Sequence, residues 1–124
     1  MSLVLIVEDN EKNMKLVRDV LQAKGYQTLE AGTGEDGIRL AQERHPDLVL
    51  MDIRLPGING IQALAALRTD AGTRDIPVIA VTASVMQQDR KQITDAGFDG
   101  YVGKPIALKE LLEAVAKAIG SKGT

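Results

Sequence analysis

The sequence has no cysteine and no tryptophan, and aromatic residues make up only 2% of its 124 residues. Without cysteine there can be no disulfide scaffold, no thiolate zinc site and no cysteine nucleophile. The scarcity of aromatic rings argues against a surface that stacks unpaired nucleic acid bases. The core must therefore be built from aliphatic side chains.

An excess of positive charge is also missing. Fifteen Lys and Arg residues stand against seventeen Asp and Glu residues, so the net charge is −2, and we expect no direct binding of nucleic acid. The longest early apolar run, Leu3–Val7, is followed at once by Glu8 and Asp9. This run is too short for a signal peptide or a membrane span, so we expect a cytoplasmic protein without membrane insertion.

Apolar segments of strand length recur along the chain and alternate with segments of helical periodicity. The predicted strands are Leu3–Val7, Gln27–Ala31, Asp47–Met51, Val78–Val81 and Gly100–Gly103. The apolar stripes of the five predicted helices are Met14/Val17/Leu21, Ile38/Ala41, Ile61/Leu64/Leu67, Val85 or Met86 with Ile93/Ala96, and Leu108/Leu111/Leu112/Val115/Ile119. The predicted helix boundaries are N-caps at Asn10 and Thr33 and helix ends at Gly25, Gly97 and Gly120.

Strictly alternating strands and helices predict right-handed parallel crossovers, and continuously apolar strands predict a sheet covered on both faces. The expected fold is a doubly wound α/β sandwich with a five-stranded parallel sheet. The length favours one domain over residues 1–124, with a core of about 2–120 and a frayed tail over 120–124.

Functional sites in such sheets form at the carboxyl ends of the strands, where this sequence places charged side chains. Glu8 and Asp9 follow the first predicted strand, Asp52 the third, Thr82 the fourth and Lys104 the fifth. Two carboxylates 4 Å apart repel by up to roughly 4 kcal/mol, so a cation must offset them. Hard oxygen ligands favour Mg²⁺, with Mn²⁺ as the other suitable ion.

These residue types fit phosphoryl transfer. Asp52 can attack a phosphorus atom as a carboxylate nucleophile and become an aspartyl phosphate. Lys104 and the metal would neutralise charge on the phosphoryl oxygens, and the Thr82 hydroxyl could donate a hydrogen bond to one of them.

Five short motifs carry a resemblance to a known family. They are Val7–Asn10, Met51–Asp52, Leu55–Gly60, Val81–Ala83 and Gly103–Pro105. In order and separation they resemble the receiver domain of two-component response regulators, over residues 2 to about 120. The run from Glu8 to Met14 and the missing output domain are most similar to stand-alone regulators of the alphaproteobacterial cell-division type. The resemblance implies a flavodoxin-like (βα)₅ fold with strand order 2-1-3-4-5.

The resemblance also assigns the metal site and the nucleophile. It implies that Asp52 is the phosphoacceptor and that Asp9, Asp52 and the backbone carbonyl of Arg54 bind Mg²⁺. Glu8 would contribute through a water molecule. Side chains flanking the pocket, of which Arg54 and Ser84 are the candidates, would set the lifetime of the phosphoryl group.

The remaining implied roles concern signalling. Thr82 and Lys104 would hold the phosphoryl group, and Tyr101 would be the switch aromatic. The expected protein is a signalling switch that catalyses only its own phosphorylation and dephosphorylation. Its phosphodonor would be a sensor histidine kinase or a histidine phosphotransfer protein, and its output would be contact with a downstream protein.

Several alternatives stay open at this stage. Thr82 could simply cap the next helix, and Tyr101 could be an ordinary core or surface residue. A phosphatase resembling haloacid dehalogenases would need Asp-x-Asp where Glu8–Asn10 stands, and a flavodoxin-like cofactor binder would need phosphate-binding amides there. A receiver domain cut from a larger kinase or transcription regulator is the third alternative. His45 is expected to be structural or exposed, and not a phosphodonor.

Overall fold

The structure, a computed structural model, describes residues 2–83 and 87–122, and of residues 87–90 and 121–122 it describes the backbone alone. The strands are β1 (Leu3–Val7), β2 (Gln27–Ala31), β3 (Leu48–Asp52), β4 (Val78–Thr82) and β5 (Gly100–Gly103). The helices are α1 (Glu11–Ala23), α2 (Gly34–Arg44), α3 (Gly60–Thr69), α4 (Gln87–Ala96) and α5 (Leu108–Lys122).

All the strand pairs are parallel, and the order in the sheet is β2-β1-β3-β4-β5. This confirms the predicted fold class and strand order. The register places Val7 beside Met51, and Asp52 beside Val81. The carboxyl ends of β1, β3 and β4 therefore meet at one edge of the sheet.

The core has two layers because the central strands are buried on both faces. Every residue of β3 and β4 is buried, which explains why these strands are continuously apolar up to their last residues. On one face, α2, α3 and α4 supply Ala41, Leu67 and Ile93, among others. On the other face, α1 and α5 supply residues such as Leu21 and Leu111.

Three predicted strand boundaries differ from the structure. The third strand begins at Leu48 and not at Asp47, whose carboxylate accepts a hydrogen bond from the backbone N–H of Leu3 at 2.8 Å. Both β3 and β4 also run one residue further than predicted, so Asp52 and Thr82 are the last residues of their strands.

The prediction that the last helix ends at Gly120 is wrong, since α5 continues to Lys122. Glycine weakens a helix by about 1 kcal/mol but does not forbid helical dihedral angles. The buried stripe that includes Leu111 and Val115 holds this helix against the sheet. By contrast, Gly25 and Gly97 do follow helix ends, with φ of 92° and 104°.

The predicted N-caps are confirmed. The side chain of Asn10 accepts a hydrogen bond from the N–H of Asn13, and Thr33 accepts one from Asp36. The expected apolar positions Val85 and Met86 lie outside the described residues. Among the helices of the described part of the chain, none has the length and apolar character needed to cross a membrane.

Candidate functional site

Three carboxylates converge at the carboxyl edge of the sheet. Glu8 and Asp9 directly follow β1, and Asp52 ends the neighbouring strand β3. One ligand oxygen from each of the three lies within 4.8 Å of the other two. Glu8 and Asp52 are buried and Asp9 is exposed, so the cluster opens to solvent on the side of Asp9. The structure thus brings together the acidic residues that the sequence analysis singled out.

The side chain of Lys104 neutralises part of this negative charge. Its Nζ lies 2.8 Å from Oδ2 of Asp52 and 3.0 Å from Oε1 of Glu8. The end of β5 sets this position, because the backbone N–H of Lys104 donates to the carbonyl of Thr82 at 2.8 Å. The ammonium group therefore bridges the two buried carboxylates.

The electrostatics of the cluster are visible in two pKa shifts. Burial raises the pKa of Glu8, and its contact with Asp52 raises it further, against the opposing effect of Lys104. Burial lowers the pKa of Lys104, but hydrogen bonds to Asp52 and Glu8 outweigh it and raise this pKa above its ordinary value. Lys104 is consequently a permanent cation at neutral pH.

The carboxylate of Asp52 is held at both oxygens. Oδ1 accepts a hydrogen bond from the backbone N–H of Arg54 at 3.1 Å, while Oδ2 accepts one from Lys104. The chain after Asp52 is fixed as well, because the N–H of Ile53 donates to the carbonyl of Val81 at 3.0 Å. The orientation of this carboxylate is therefore set by the strand ends and not by solvent.

Gly60, the first residue of α3, is a supporting residue whose role the sequence analysis missed. A Cβ at this position would lie 2.4 Å from the carbonyl oxygen of Asp52 and 2.9 Å from Cα of Ile53. The N–H of Gly60 also donates to the carbonyl of Ile53 at 2.8 Å. Gly60 belongs to the Leu55–Gly60 motif, but its close approach to the end of β3 depends on a tertiary contact that no local pattern encodes.

Thr82 and Tyr101 lie on the neighbouring strands β4 and β5, Thr82 at the strand end beside Gly103 and Tyr101 two residues earlier, beside Ala80. Thr82 is 7% exposed at the end of β4, and Tyr101 is 38% exposed in the edge strand β5. Since Val81 and Val102 face the α1/α5 layer, strand alternation directs Thr82 and Tyr101 toward the opposite face. The two predicted switch residues therefore share the face that carries α4.

Other predicted residues fall at different places. Arg54 is exposed beside Asp52, and Ser84 lies outside the described residues. His45 is exposed and caps the carboxyl end of α2 with φ of 46°, with Nδ1 3.3 Å from the carbonyl oxygen of Gly72. His45 therefore has the expected structural environment, at the opposite end of the sheet from the carboxylates.

Comparison with known proteins assigns the chain to a family. The profile of the response regulator receiver domain family matches residues 4–116, and the chain belongs to this family. The protein is thus a two-component signalling protein, and the dehalogenase-like and cofactor-binding alternatives no longer apply.

Particular relatives narrow this class. The chain is 45% identical over 117 residues to the polar-differentiation response regulator DivK of Brucella ovis. The matched region covers 94% of this chain and 95% of the relative. A relative of the same name from Brucella anthropi is 44% identical over 117 residues, with the same coverage of both chains. The predicted similarity to stand-alone regulators of the alphaproteobacterial cell-division type is confirmed.

Solved structures give the same result for the fold. The receiver domain of a sensor histidine kinase from Pseudomonas aeruginosa, with a magnesium ion coordinated in its active site cleft, has a TM-score of 0.89 and 34% identity, covering 96% of this chain and 98% of that one. A CheY-like response regulator receiver domain protein from Methanospirillum hungatei has a TM-score of 0.87 and 26% identity, covering 99% and 97%.

Proposed function

We propose that this protein is a phosphorylatable switch in a cytoplasmic two-component phosphorelay. Asp52 would accept a phosphoryl group from a phosphohistidine of a sensor histidine kinase or a histidine phosphotransfer protein. The phosphorylated protein would then change its affinity for a downstream protein. The observation that carries this proposal is the carboxylate of Asp52, held at both oxygens, beside Lys104 and two further carboxylates.

The chemical step needs few groups. An oxygen of Asp52 forms a bond to phosphorus while the bond from phosphorus to the donor histidine nitrogen breaks, and its electron pair returns to the imidazole. Lys104, already 2.8 Å from Asp52, offsets negative charge on the phosphoryl oxygens. The hydroxyl of Thr82 would donate a hydrogen bond to one of those oxygens.

The donor set fits a hard divalent cation, Mg²⁺ or Mn²⁺, because three carboxylates offer oxygens within 4.8 Å of one another. Asp9, Asp52 and the carbonyl of Arg54 would hold the ion, with Glu8 acting through water. The bound ion would supply positive charge to the transferring phosphoryl group. The magnesium ion in the Pseudomonas aeruginosa relative supports this assignment.

The switch returns to its resting state by hydrolysis. A water molecule attacks phosphorus, the bond from phosphorus to the Asp52 oxygen breaks, and the carboxylate is regenerated as phosphate leaves. Arg54, exposed beside Asp52, and Ser84, which lies outside the described residues, are the side chains proposed to control access of that water.

The signal would leave through the face formed by α4, β5 and α5. A phosphoryl group on Asp52 adds acceptor oxygens that draw the Thr82 hydroxyl toward the site. Tyr101, on the same face, would turn inward to fill the space. Hydrogen bonds worth about 1–3 kcal/mol shift such a two-state equilibrium roughly 5- to 150-fold.

Labelling tests the proposed function directly. A small acyl phosphate donor with Mg²⁺ should label the protein once per chain, and a chelator should stop the reaction. The label should be labile to hydroxylamine, because hydroxylamine cleaves acyl phosphates. A label that resists hydroxylamine, or one that forms equally well with chelator, would contradict an aspartyl phosphate formed with a metal.

Mg²⁺ should stabilise the protein by linkage, and Asp9→Ala should remove that gain. With Mg²⁺ at about ten times its dissociation constant, the free energy of unfolding should rise by about 1.4 kcal/mol, or roughly 5 °C in melting temperature. Thermal unfolding with and without Mg²⁺ measures this. The control is Asp75→Ala, which removes another exposed aspartate and should keep the full gain. A full gain in Asp9→Ala would rule out the proposed metal site.

Replacing Thr82 by Ala should separate phosphorylation from its readout. The variant should still be labelled on Asp52. By contrast, the changes that an acyl phosphate mimic induces in the backbone amide chemical shifts of residues 87–105 should fall at least about fivefold. NMR spectra with and without beryllium fluoride and Mg²⁺, which mimic the acyl phosphate, provide the measurement. Thr82→Ser keeps the hydroxyl and should retain the response. If Thr82→Ala responded like the native protein, this readout would be wrong.

A further inference from the structure

The last turn of α3 is bound to the carboxyl end of α4 through the side chain of Arg68. Its guanidinium group donates four hydrogen bonds, to the carbonyls of Ile76 at 2.7 Å, Arg74 at 3.0 Å and Gly97 at 3.4 Å, and to Oδ2 of Asp99 at 2.9 Å. Gly97 directly follows α4, and Ile76 lies just before β4. One planar side chain thus connects the end of α4 to the entry of β4.

Asp99 completes this connection on the other side. Its Oδ2 also accepts a hydrogen bond from the backbone N–H of Val78 at 2.8 Å. In return, the backbone N–H of Asp99 donates to the carbonyl of Val78 at 2.8 Å. The carboxylate is therefore shared between Arg68 and the first residue of β4.

Apolar burial reinforces the same end of α4. Ile93 is 4% exposed and Phe98 is 7% exposed, and both belong to the cluster that contains Leu64 and Leu67 of α3. Between Lys91 and Ala96, Ile93 is the only buried residue. These two side chains thus pack against α3 near the carboxyl end of α4.

The Arg68 connection lies at the end of α4 that is remote from the candidate site. Helix α4 returns the chain from the end of β4 to the start of β5. Its first turn is therefore on the side of Thr82 and Asp52, while its last turn lies at the opposite edge of the sheet, beside Val78. The Arg68 connection fixes α4 at the end remote from the carboxylates.

We propose that Arg68 is a positioning residue that makes the carboxyl end of α4 the pivot of the switch. The proposal rests on the proposed function and adds the way in which α4 moves. Arg68 holds Gly97 and Asp99 in place. When phosphorylation of Asp52 moves the Thr82 side chain, α4 therefore tilts about its last turn and does not shift as a whole. The displacement is largest at Gln87 and smallest at Ala96, so the partner senses the amino-terminal half of α4.

NMR spectroscopy of the full chain with and without beryllium fluoride and Mg²⁺ tests this directly. In the native protein, the amide chemical shifts of residues 87–92 should change at least about three times more than those of residues 93–99. In Arg68→Ala, the mimic-induced changes should extend through residue 99, so that this ratio approaches one. A purely structural role would alter both states alike and leave the mimic-induced difference unchanged.

A matched control comes from Arg18 of α1. Its side chain is 30% exposed, against 27% for Arg68, and it also pairs with carboxylates, those of Asp19 and Glu30. Arg18→Ala should keep the native ratio. Arg68→Lys keeps the charge but not the planar fork, so its ratio should lie between those of the native protein and Arg68→Ala. It also serves as the test if Arg68→Ala does not fold.

The outcomes that overturn the pivot are distinct from failure of the proposed function. Equal changes over residues 87–92 and 93–99 in the native protein would show that α4 moves as a unit. A native ratio in both Arg68 variants would show that Arg68 does not set the pivot. If the amide chemical shifts changed in the loops after Asp9 and Asp52 but not in α4, the proposed pivot would be wrong, while Asp52 could still be the phosphoacceptor. If the mimic did not bind at all, the proposed function would fall with it.

Discussion

Asp52→Asn should abolish phosphorylation by a small acyl phosphate donor, with a fall in labelling of roughly two orders of magnitude or more. The amide keeps the shape of the carboxylate but lacks the anionic oxygen that must bond to phosphorus. The hydrogen bond from Arg54 to Oδ1 can persist, whereas the charge-assisted contact between Lys104 and Oδ2 is weakened. The measurement is the amount of hydroxylamine-labile phosphate per chain after a fixed reaction time.

Two controls make the result specific. Asp75→Asn makes the same chemical change at an exposed aspartate on the loop before β4, and it should be labelled like the native protein. Circular dichroism of Asp52→Asn should show a native spectrum, so that loss of label cannot be ascribed to unfolding. Equal hydroxylamine-labile label in Asp52→Asn and the native protein would refute the assignment of the phosphoacceptor.

Gly60→Ala should be strongly destabilising, although it adds a single methyl group. That Cβ would lie 2.4 Å from the carbonyl oxygen of Asp52 and 2.9 Å from Cα of Ile53, both backbone atoms. Neither atom can move without shifting the end of β3. We expect a loss of about 3 kcal/mol in unfolding free energy, or roughly 10 °C in melting temperature, together with slower phosphorylation.

Gly120→Ala is the matched control for this prediction. Gly120 also lies in a helix, and outside its own stretch of helix a Cβ there would meet no atom of the described residues within 4 Å. Because alanine is the better helix former, this variant should be unchanged or more stable by up to about 0.5 kcal/mol. Thermal unfolding of both variants gives the comparison. If Gly60→Ala unfolded at the native temperature, the close contact between α3 and the end of β3 would be wrong.

The fold could be predicted because its signals are local and repeated. Strands such as Leu3–Val7 are continuously apolar, and caps such as Asn10 and Thr33 satisfy helix amides three residues on. Boundaries that depend on contacts between distant segments were less predictable. Asp47 lies just before β3, where its carboxylate binds the N–H of Leu3, and Gly120 stays helical because α5 is docked on the sheet.

The candidate site was predictable to the extent that strand ends place residues. Glu8, Asp9 and Asp52 were expected together because their strands end at one edge, and the structure places them so. That Lys104 bridges Glu8 and Asp52 depends on side-chain geometry that spacing alone does not define. The contacts of Gly60 and Arg68 were not predicted, because they form only once the chain has folded. Gly60 packs against the end of β3, and Arg68 binds Asp99, which is distant in sequence.

If Asp52 carries the phosphoryl group, chemical marking of the phosphorylated residue in the native protein should locate it there. Borohydride reduces an acyl phosphate to an alcohol, so the modified residue is marked permanently and can be identified by mass spectrometry of peptides. After reaction with a small acyl phosphate donor and Mg²⁺, we expect reduction at Asp52 alone, and none when Mg²⁺ is chelated. Reduction at Glu8 or Asp9 with Asp52 intact would contradict it.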